Sequence, residues 1–377
     1  MRIWKWGITV VAVLAAGCDD DYWLVADPPD APRDLDGYYY AGAVDLSWRL
    51  GRAWDGEAFR VYGKRVSDPD YFFIAEVTSC TEGLCVYRDI NVRAEVTYEY
   101  YVSAVSPDTG EETASDYSVE VYVPRPVPPP VPDPVEAVAL DNSAYVRWHD
   151  GASAEEDFAF YRVYVSDGDS EYLVGETDSP GFLDFLAENG RTASYFVTSV
   201  DDQGHESEAS EIASCTPRPD YTGEVMYSYE DVAASAGFRF QEADDLQAVV
   251  SGDSPHRHFR LESDGAGLWL APGPEGRVYP EAHWTSALKC GVGSDADCQS
   301  WERAPMSGYS ARRMPLDAGF TYMFQVSGDD GETRFGSVRA SHLGLDQDGH
   351  RLIVFDWAYQ TQVGNPSLST SGGTQGW

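Results

Sequence analysis

Trp48 and Trp148 each close a short alternating segment, Val44-Asp45-Leu46-Ser47-Trp48 and Ala144-Tyr145-Val146-Arg147-Trp148, one hundred positions apart. The likeness continues downstream. Phe59-Arg60-Val61-Tyr62 is matched by Tyr161-Arg162-Val163-Tyr164, and Ala75-Glu76-Val77-Thr78 by Val174-Gly175-Glu176-Thr177. The run from Tyr98 to Val105 is matched by Tyr195 to Val200, and Ser115-Asp116-Tyr117-Ser118 by Ser207-Glu208-Ala209-Ser210. A repeat of ~100 residues is the size of a domain, not of a solenoid unit. Within each copy apolar and polar residues alternate with period two, which reads as half-buried strand. Ser67-Asp68-Pro69-Asp70 and Ser166-Asp167-Gly168 punctuate the segments as turns. Short strands spaced ~8–12 residues apart predict a β-sandwich for each copy.

The copies resemble fibronectin type III domains. Each begins on a proline-rich edge, Pro28-Pro29-Asp30-Ala31-Pro32 and Pro130-Val131-Pro132-Asp133-Pro134. Each then places a tryptophan on its second strand, and Tyr98-Glu99-Tyr100-Tyr101-Val102-Ser103-Ala104-Val105 follows the pattern of the family's sixth strand. The resemblance implies that Tyr98 is a tyrosine corner, its hydroxyl satisfying nearby backbone. The second copy has Ala193 in that place, so its corner must be held otherwise. A disulfide-bonded immunoglobulin sandwich is excluded, because no cysteines flank the tryptophans across the sheets.

The expected fold is all-β: two tandem fibronectin type III-like sandwiches, residues 28–123 and 133–217, followed by a C-terminal antiparallel β-domain over 220–368. The linker 124–132, with six prolines among its nine residues, reads as a semi-rigid polyproline spacer. In the last third, Gly267–Leu270, Thr321–Val326, Phe335–Ala340 and Arg351–Tyr359 are short apolar segments joined by acidic glycine turns. The last three predict an antiparallel meander. The stretch from Gly273 to Pro315 reads as an elaborated loop, and loops of that length are often functional. Residues 369–377, rich in Ser, Gly and Thr, read as a disordered tail.

The amino end carries an address. Arg2 and Lys5 precede an apolar run from about Trp6 to Ala16, too short to span a bilayer, which takes ~20 residues. The run ends in Leu14-Ala15-Ala16-Gly17-Cys18, which resembles the lipobox of bacterial lipoproteins. That resemblance implies a signal peptide over 1–17, lipidation of Cys18 and a tether over 18–27. It places the mature chain in the bacterial cell envelope, facing the periplasm or the cell surface and held to the membrane by lipid.

Composition narrows the partners. The formal net charge is −37. Such a surface repels phosphate backbones, so nucleic acid is not an expected partner. Cys80 with Cys85 and Cys290 with Cys298 are candidate local disulfides in an oxidising envelope. Their spacings, with no matching histidine pair, suit zinc poorly. Cys215 is left as a spare thiol or an intermolecular link.

Sequence signals for chemistry are sparse. His256 and His258 would share one face of a strand if Arg257 pointed away, and such a pair can hold a transition metal or haem. His283, beside Trp284, is a further candidate ligand. The last strand, Phe355 to Gln360, is similar to the final strand of HmuY-like haem-binding lipoproteins, a match of one strand that carries no ligand residue with it. Asp346, Asp348 and Gly349 form half of a calcium-loop pattern without its later glutamate, so they read as a tight turn. No nucleophile elbow, metalloprotease helix motif or phosphate loop occurs. The expectation is therefore a non-enzymatic lipoprotein without a resident cofactor. Its C-terminal domain would bind a protein or glycan partner. Haem or metal capture, and an extracellular hydrolase with a C-terminal catalytic domain, are the alternatives.

Overall fold

The computed structural model describes residues 28–168, 170–218, 223–241, 247–291 and 293–369. The expected signal peptide over 1–17, Cys18, the expected tether over 18–27 and residues 370–377 lie outside them. The protein is all-β, and the chain divides into two compact units at Arg125/Pro126, within the proline linker.

The first unit holds β1 (Arg33–Tyr40), β2 (Ala43–Arg49), β3 (Ala58–Arg65), β4 (Phe72–Val77), β5 (Leu84–Asp89), β6 (Val96–Val105), β7 (Glu112–Ala114) and β8 (Val119–Val123). One antiparallel sheet is ordered β1-β2-β5; the other is ordered β4-β3-β6, with β7 and β8 both on β6. The two-sheet sandwich implied by the fibronectin type III resemblance is thus present. Alternation decides which side chains face inward: Val44, Leu46 and Trp48 on β2 meet Phe59 and Val61 on β3 and Tyr100 and Val102 on β6. Trp48 is completely buried and meets Phe59 edge-on, ring centres 5.8 Å apart. The Tyr98 hydroxyl accepts the Arg93 N–H at 2.9 Å, so the tyrosine corner is formed. Cys80 and Cys85 are joined by a disulfide.

The second unit begins with the second sandwich: β9 (Val135–Leu140), β10 (Ser143–Trp148), β11 (Phe158–Asp167), β12 (Ser170–Thr177), β13 (Gly181–Asp184), β14 (Ala193–Asp201) and β15 (Ala213–Cys215). Its sheets are β9-β10-β13 and β12-β11-β14-β15. The repeat reaches individual hydrogen bonds. Tyr100 donates to Asp89 at 3.0 Å in the first copy, and Tyr195 donates to Asp184 at 2.8 Å in the second. The missing tyrosine corner is replaced by amides. Asn189 donates to the Asp141 carboxylate at 2.7 Å and accepts the Asn142 N–H at 2.8 Å, pinning this corner to the β9–β10 turn. Cys215 lies in the core of this sandwich, and burial, then Asp184, pushes its thiol up to about 11. The end of the proline linker is docked here as well: Pro129 and Pro132 are buried, and the Pro130 carbonyl accepts the Ser199 hydroxyl. Residues 125–128, 130 and 131 are exposed, and the linker is held to the second unit at Pro129 and Pro132.

The C-terminal β-domain follows with β16 (Glu224–Tyr227), β17 (Gly237–Phe238), β18 (Val249–Val250), β19 (Phe259–Asp264), β20 (Gly267–Pro272), β21 (Gly276–Val278), β22 (His283–Trp284), β23 (Met314–Pro315), β24 (Phe320–Ser327), β25 (Thr333–Leu345) and β26 (Arg351–Gln360). One sheet runs β16-β26-β25-β24-β21 with β22 also on β24; the other runs β18-β17-β19-β20-β23. β24, β25 and β26 form the expected antiparallel meander. Between the sheets lies an aromatic core in which Phe238, Phe259, Phe324 and Phe355 are all completely buried.

The second sandwich is not a free spacer. The outer face of its β9-β10-β13 sheet presents Leu140, Tyr145 and Leu183, which form one buried cluster with Leu352 and Val354 of β26. The Tyr145 hydroxyl donates to the Leu345 carbonyl at 3.0 Å, and burial pushes it up to about 12. Thr177 donates to the Gln347 carbonyl at 2.8 Å, and the Leu183 N–H reaches the Gln347 side chain at 3.1 Å. Glycine is required on both sides of this seam. A Cβ on Gly344 would stand 1.9 Å from the Tyr145 hydroxyl, and one on Gly181 would stand 2.0 Å from the Leu345 carbonyl.

Candidate functional site

The sequence placed two imidazoles on one strand face, and the structure does not. Ser254 and Pro255 belong to the turn before β19, so His256 and His258 lie ahead of the strand, not within it. His256 is 62% exposed and its Nδ1 is 2.9 Å from Glu275. His258 is 1% exposed. Its Nδ1 accepts the Phe240 N–H at 3.0 Å, which leaves Nε2 to carry the proton and meet the Ser327 carbonyl at 3.2 Å. Both ring nitrogens are therefore engaged, tying the segment after β17 to the end of β24. Burial lowers its pKa to about 4, so it is neutral at pH 7. The expected shared strand face is thus absent: His256 is a surface residue beside Glu275, and His258 is buried with both ring nitrogens bonded within the protein. His283 stacks on Trp301, ring centres 4.0 Å apart, and serves as a packing surface.

Asp346, Asp348 and His350 carry ligand-type atoms within 4.8 Å of one another. Asp346 spends its capacity locally: one oxygen accepts the N–H groups of Asp348 and His350, each at 2.9 Å, and the other lies 3.3 Å from His350 Nδ1. The same device recurs where Asp201 accepts from Gln203 and His205 and bonds the His205 ring at 2.8 Å. In both, the residue before the histidine is a glycine of positive φ, Gly349 and Gly204, as these turns require. The tight-turn reading fits both.

The repeat also duplicates a charged cluster on the outer face of each larger sheet. Arg60 bonds Glu76 and Glu112, and the Tyr62 hydroxyl donates to Glu112. Arg162 bonds Glu176 and Glu206, and the Tyr164 hydroxyl donates to Glu206. Tyr62 stacks on Tyr101 and Tyr164 on Phe196, each at 4.9 Å. Each cluster satisfies itself, so the repeated arginines are explained as sheet-face braces. Glu224 is different: burial, then Asp141, raises its carboxyl. Sequence reasoning gave no sign of it, because its burial depends on the packing around β16, which no local pattern announces.

The loop from Gly273 to Pro315 is braced, not loose. β21, β22 and β23 fall within it, and Cys290 and Cys298 are joined by a disulfide. Beneath it Ala304, Met323, Phe335 and Leu368 form a small core with Tyr279, Trp301 and Tyr309. The segment before the tail closes over this core: Ala304 N–H bonds Pro366 and Leu368 N–H bonds Glu302. On this frame Trp284 is 55% exposed, although it sits in β22 paired to Phe320 of β24. Gly319 passes close by, where a Cβ would come within 3.1 Å of the indole nitrogen. A large planar ring held on a strand, with half its surface free, is a surface for stacking contacts.

No family model matches the chain, and no curated protein matches it. Among solved structures it is similar to the chicken CNTN1 FN1-FN3 domains, at 18% identity and a TM-score of 0.37, over 51% of this chain and 68% of that one. It is also similar to a structure described as a myokine, at 24% identity and a TM-score of 0.22, over 26% of this chain and 99% of that one.

Proposed function

We propose that the chain is a lipid-anchored lipoprotein of the bacterial cell envelope, non-enzymatic, whose C-terminal β-domain is a binding module for a glycan or protein partner. The observation that carries the binding role is Trp284, exposed on a strand braced by a disulfide and a small core of its own. Surface rings fixed in this way lose little side-chain entropy on contact. The address rests on Cys18 and the residues before it. The haem alternative loses its support, because His258 has no ring nitrogen to offer and His256 lies apart from it in environment.

Two measurements test this reading. In a bacterial host, the wild-type chain incorporates labelled palmitate and Cys18→Ser does not; a wild type that takes up no label removes the anchor. On a glycan array and in a pull-down from envelope extract, Trp284→Ala loses at least about tenfold in binding, as expected for a stacking contact of ~1.4 kcal/mol or more, while its melting temperature is unchanged. Equal binding by the variant moves the site elsewhere on the domain.

A further inference from the structure

We propose that Asn189 is a site of spontaneous deamidation that the fold holds shut, so that opening of one corner of the second sandwich is written irreversibly into its covalent structure. Asn189-Gly190 is the chain's one Asn-Gly pair. In such a pair the glycine nitrogen can attack the asparagine Cγ, because glycine has no side chain to shield it. The new N–C bond closes a succinimide, and the side-chain nitrogen leaves as ammonia. Water then opens the ring to aspartate or isoaspartate. The net change is amide plus water to carboxylic acid plus ammonia, with no oxidant or enzyme required. Here the corner withholds both reacting atoms. The Gly190 N–H is bonded to the Pro217 carbonyl at 2.8 Å. The Asn189 amide donates to Asp141 at 2.7 Å and accepts the Asn142 N–H at 2.8 Å, which holds its Cγ to the β9–β10 turn. Gly190 is exposed and Asn189 half-buried, so a local opening reaches the reactive geometry without unfolding the core.

The product cannot remake this corner. Aspartate at the site turns the donor facing Asp141 into a second carboxylate at hydrogen-bond distance. Glu224, whose carboxyl Asp141 already raises, is a third acid in the same field. Isoaspartate adds a backbone methylene inside the turn closed by the Arg191 N–H and the Glu188 carbonyl. The damage falls where the chain leaves the sandwich for the C-terminal domain. Besides Pro217 on Gly190, Thr216 bonds Thr192 at 2.8 Å and the Arg218 N–H bonds the Leu140 carbonyl at 3.1 Å. The first sandwich is exempt, because its corner is held by the Tyr98 hydroxyl, which has no such reaction.

Peptide mapping by mass spectrometry tests this on the soluble chain carrying Cys18→Ser, incubated at mildly alkaline pH with and without denaturing urea. Asn189 is expected to convert at least about tenfold more slowly in the native chain than in urea, since reaction waits on an opening. Asp141→Ala, which removes the acceptor of the Asn189 amide, speeds the native conversion and leaves the rate in urea unchanged. Asn189→Asp, which mimics one product, lowers the melting temperature of the second unit by roughly 2–5 °C. Adding Asp141→Asn recovers most of that fall by returning an amide to the pair. Equal rates in the native chain and in urea overturn the proposal, as does no conversion in urea. So does an Asp141→Ala chain with the native rate of wild type, or an Asn189→Asp chain that melts with wild type.

Discussion

Leu352→Ala lowers the melting temperature of the whole second unit and leaves the transition of the first sandwich in place. Leu352 is completely buried, and part of its cover is supplied by Leu140, Tyr145 and Leu183 of the second sandwich. Truncating a leucine in a filled core costs ~2–5 kcal/mol, the removed contacts plus the cavity. For a cooperative unit of ~250 residues, 1 kcal/mol moves the midpoint by ~2–4 °C, so the fall is roughly 5–15 °C. Differential scanning calorimetry reads the result directly. Wild type gives two endotherms, and the variant displaces the second as a single peak. Three endotherms in wild type, with only the last displaced by Leu352→Ala, would show that the seam does not couple the domains. Gly344→Ala tests the same seam by overcrowding, since its Cβ would be driven into the Tyr145 hydroxyl.

Mild acid weakens the C-terminal domain before its carboxylates are protonated. His258 takes up a proton at about 4 in the folded chain against 6.5 as its ordinary value, because burial penalises the imidazolium. Between these pH values the unfolded chain binds more protons than the folded one. Stability is therefore full above pH 6.5 and is lost as pH falls toward 4. At 1.36 kcal/mol per unit of pKa, the loss reaches about 3 kcal/mol. Urea unfolding from pH 7 to pH 4 measures it. His258→Gln is less stable at pH 7, since the Phe240 and Ser327 contacts are remade imperfectly, but its stability changes less across the window. A variant with the wild-type slope would assign the acid sensitivity to other groups.

The sandwiches were legible because period-two alternation and the tryptophan spacing are local signals that tertiary packing reinforces. The disulfides were legible for a related reason: short cysteine separations leave few other partners. The seam was less so, although it left a trace. Where the first copy has Asp45 and Arg88 on its outer sheet face, joined as an ion pair at 2.6 Å, the second has Tyr145 and Leu183. Apolar residues where the repeat expects solvent are the mark of a covered face, visible once the two copies are compared position by position. The His256/His258 reading failed because it assumed a strand. Gly252, Asp253 and Pro255 just upstream are turn formers, and the chain stays irregular until Phe259. Trp284 could be named from the sequence, but its exposure on β22 is an outcome of tertiary packing that no local pattern announces.

The bond from Tyr145 to Leu345 spans 200 residues, and that distance is also an interval of time. The chain is made amino end first, at ~5–20 residues per second. Tyr145 thus exists for about 10–40 s before its acceptor does. Throughout that interval the face bearing Leu140, Tyr145 and Leu183 has no native cover. That face stays open to water until the hairpin of β25 and β26, which seals it, has been added.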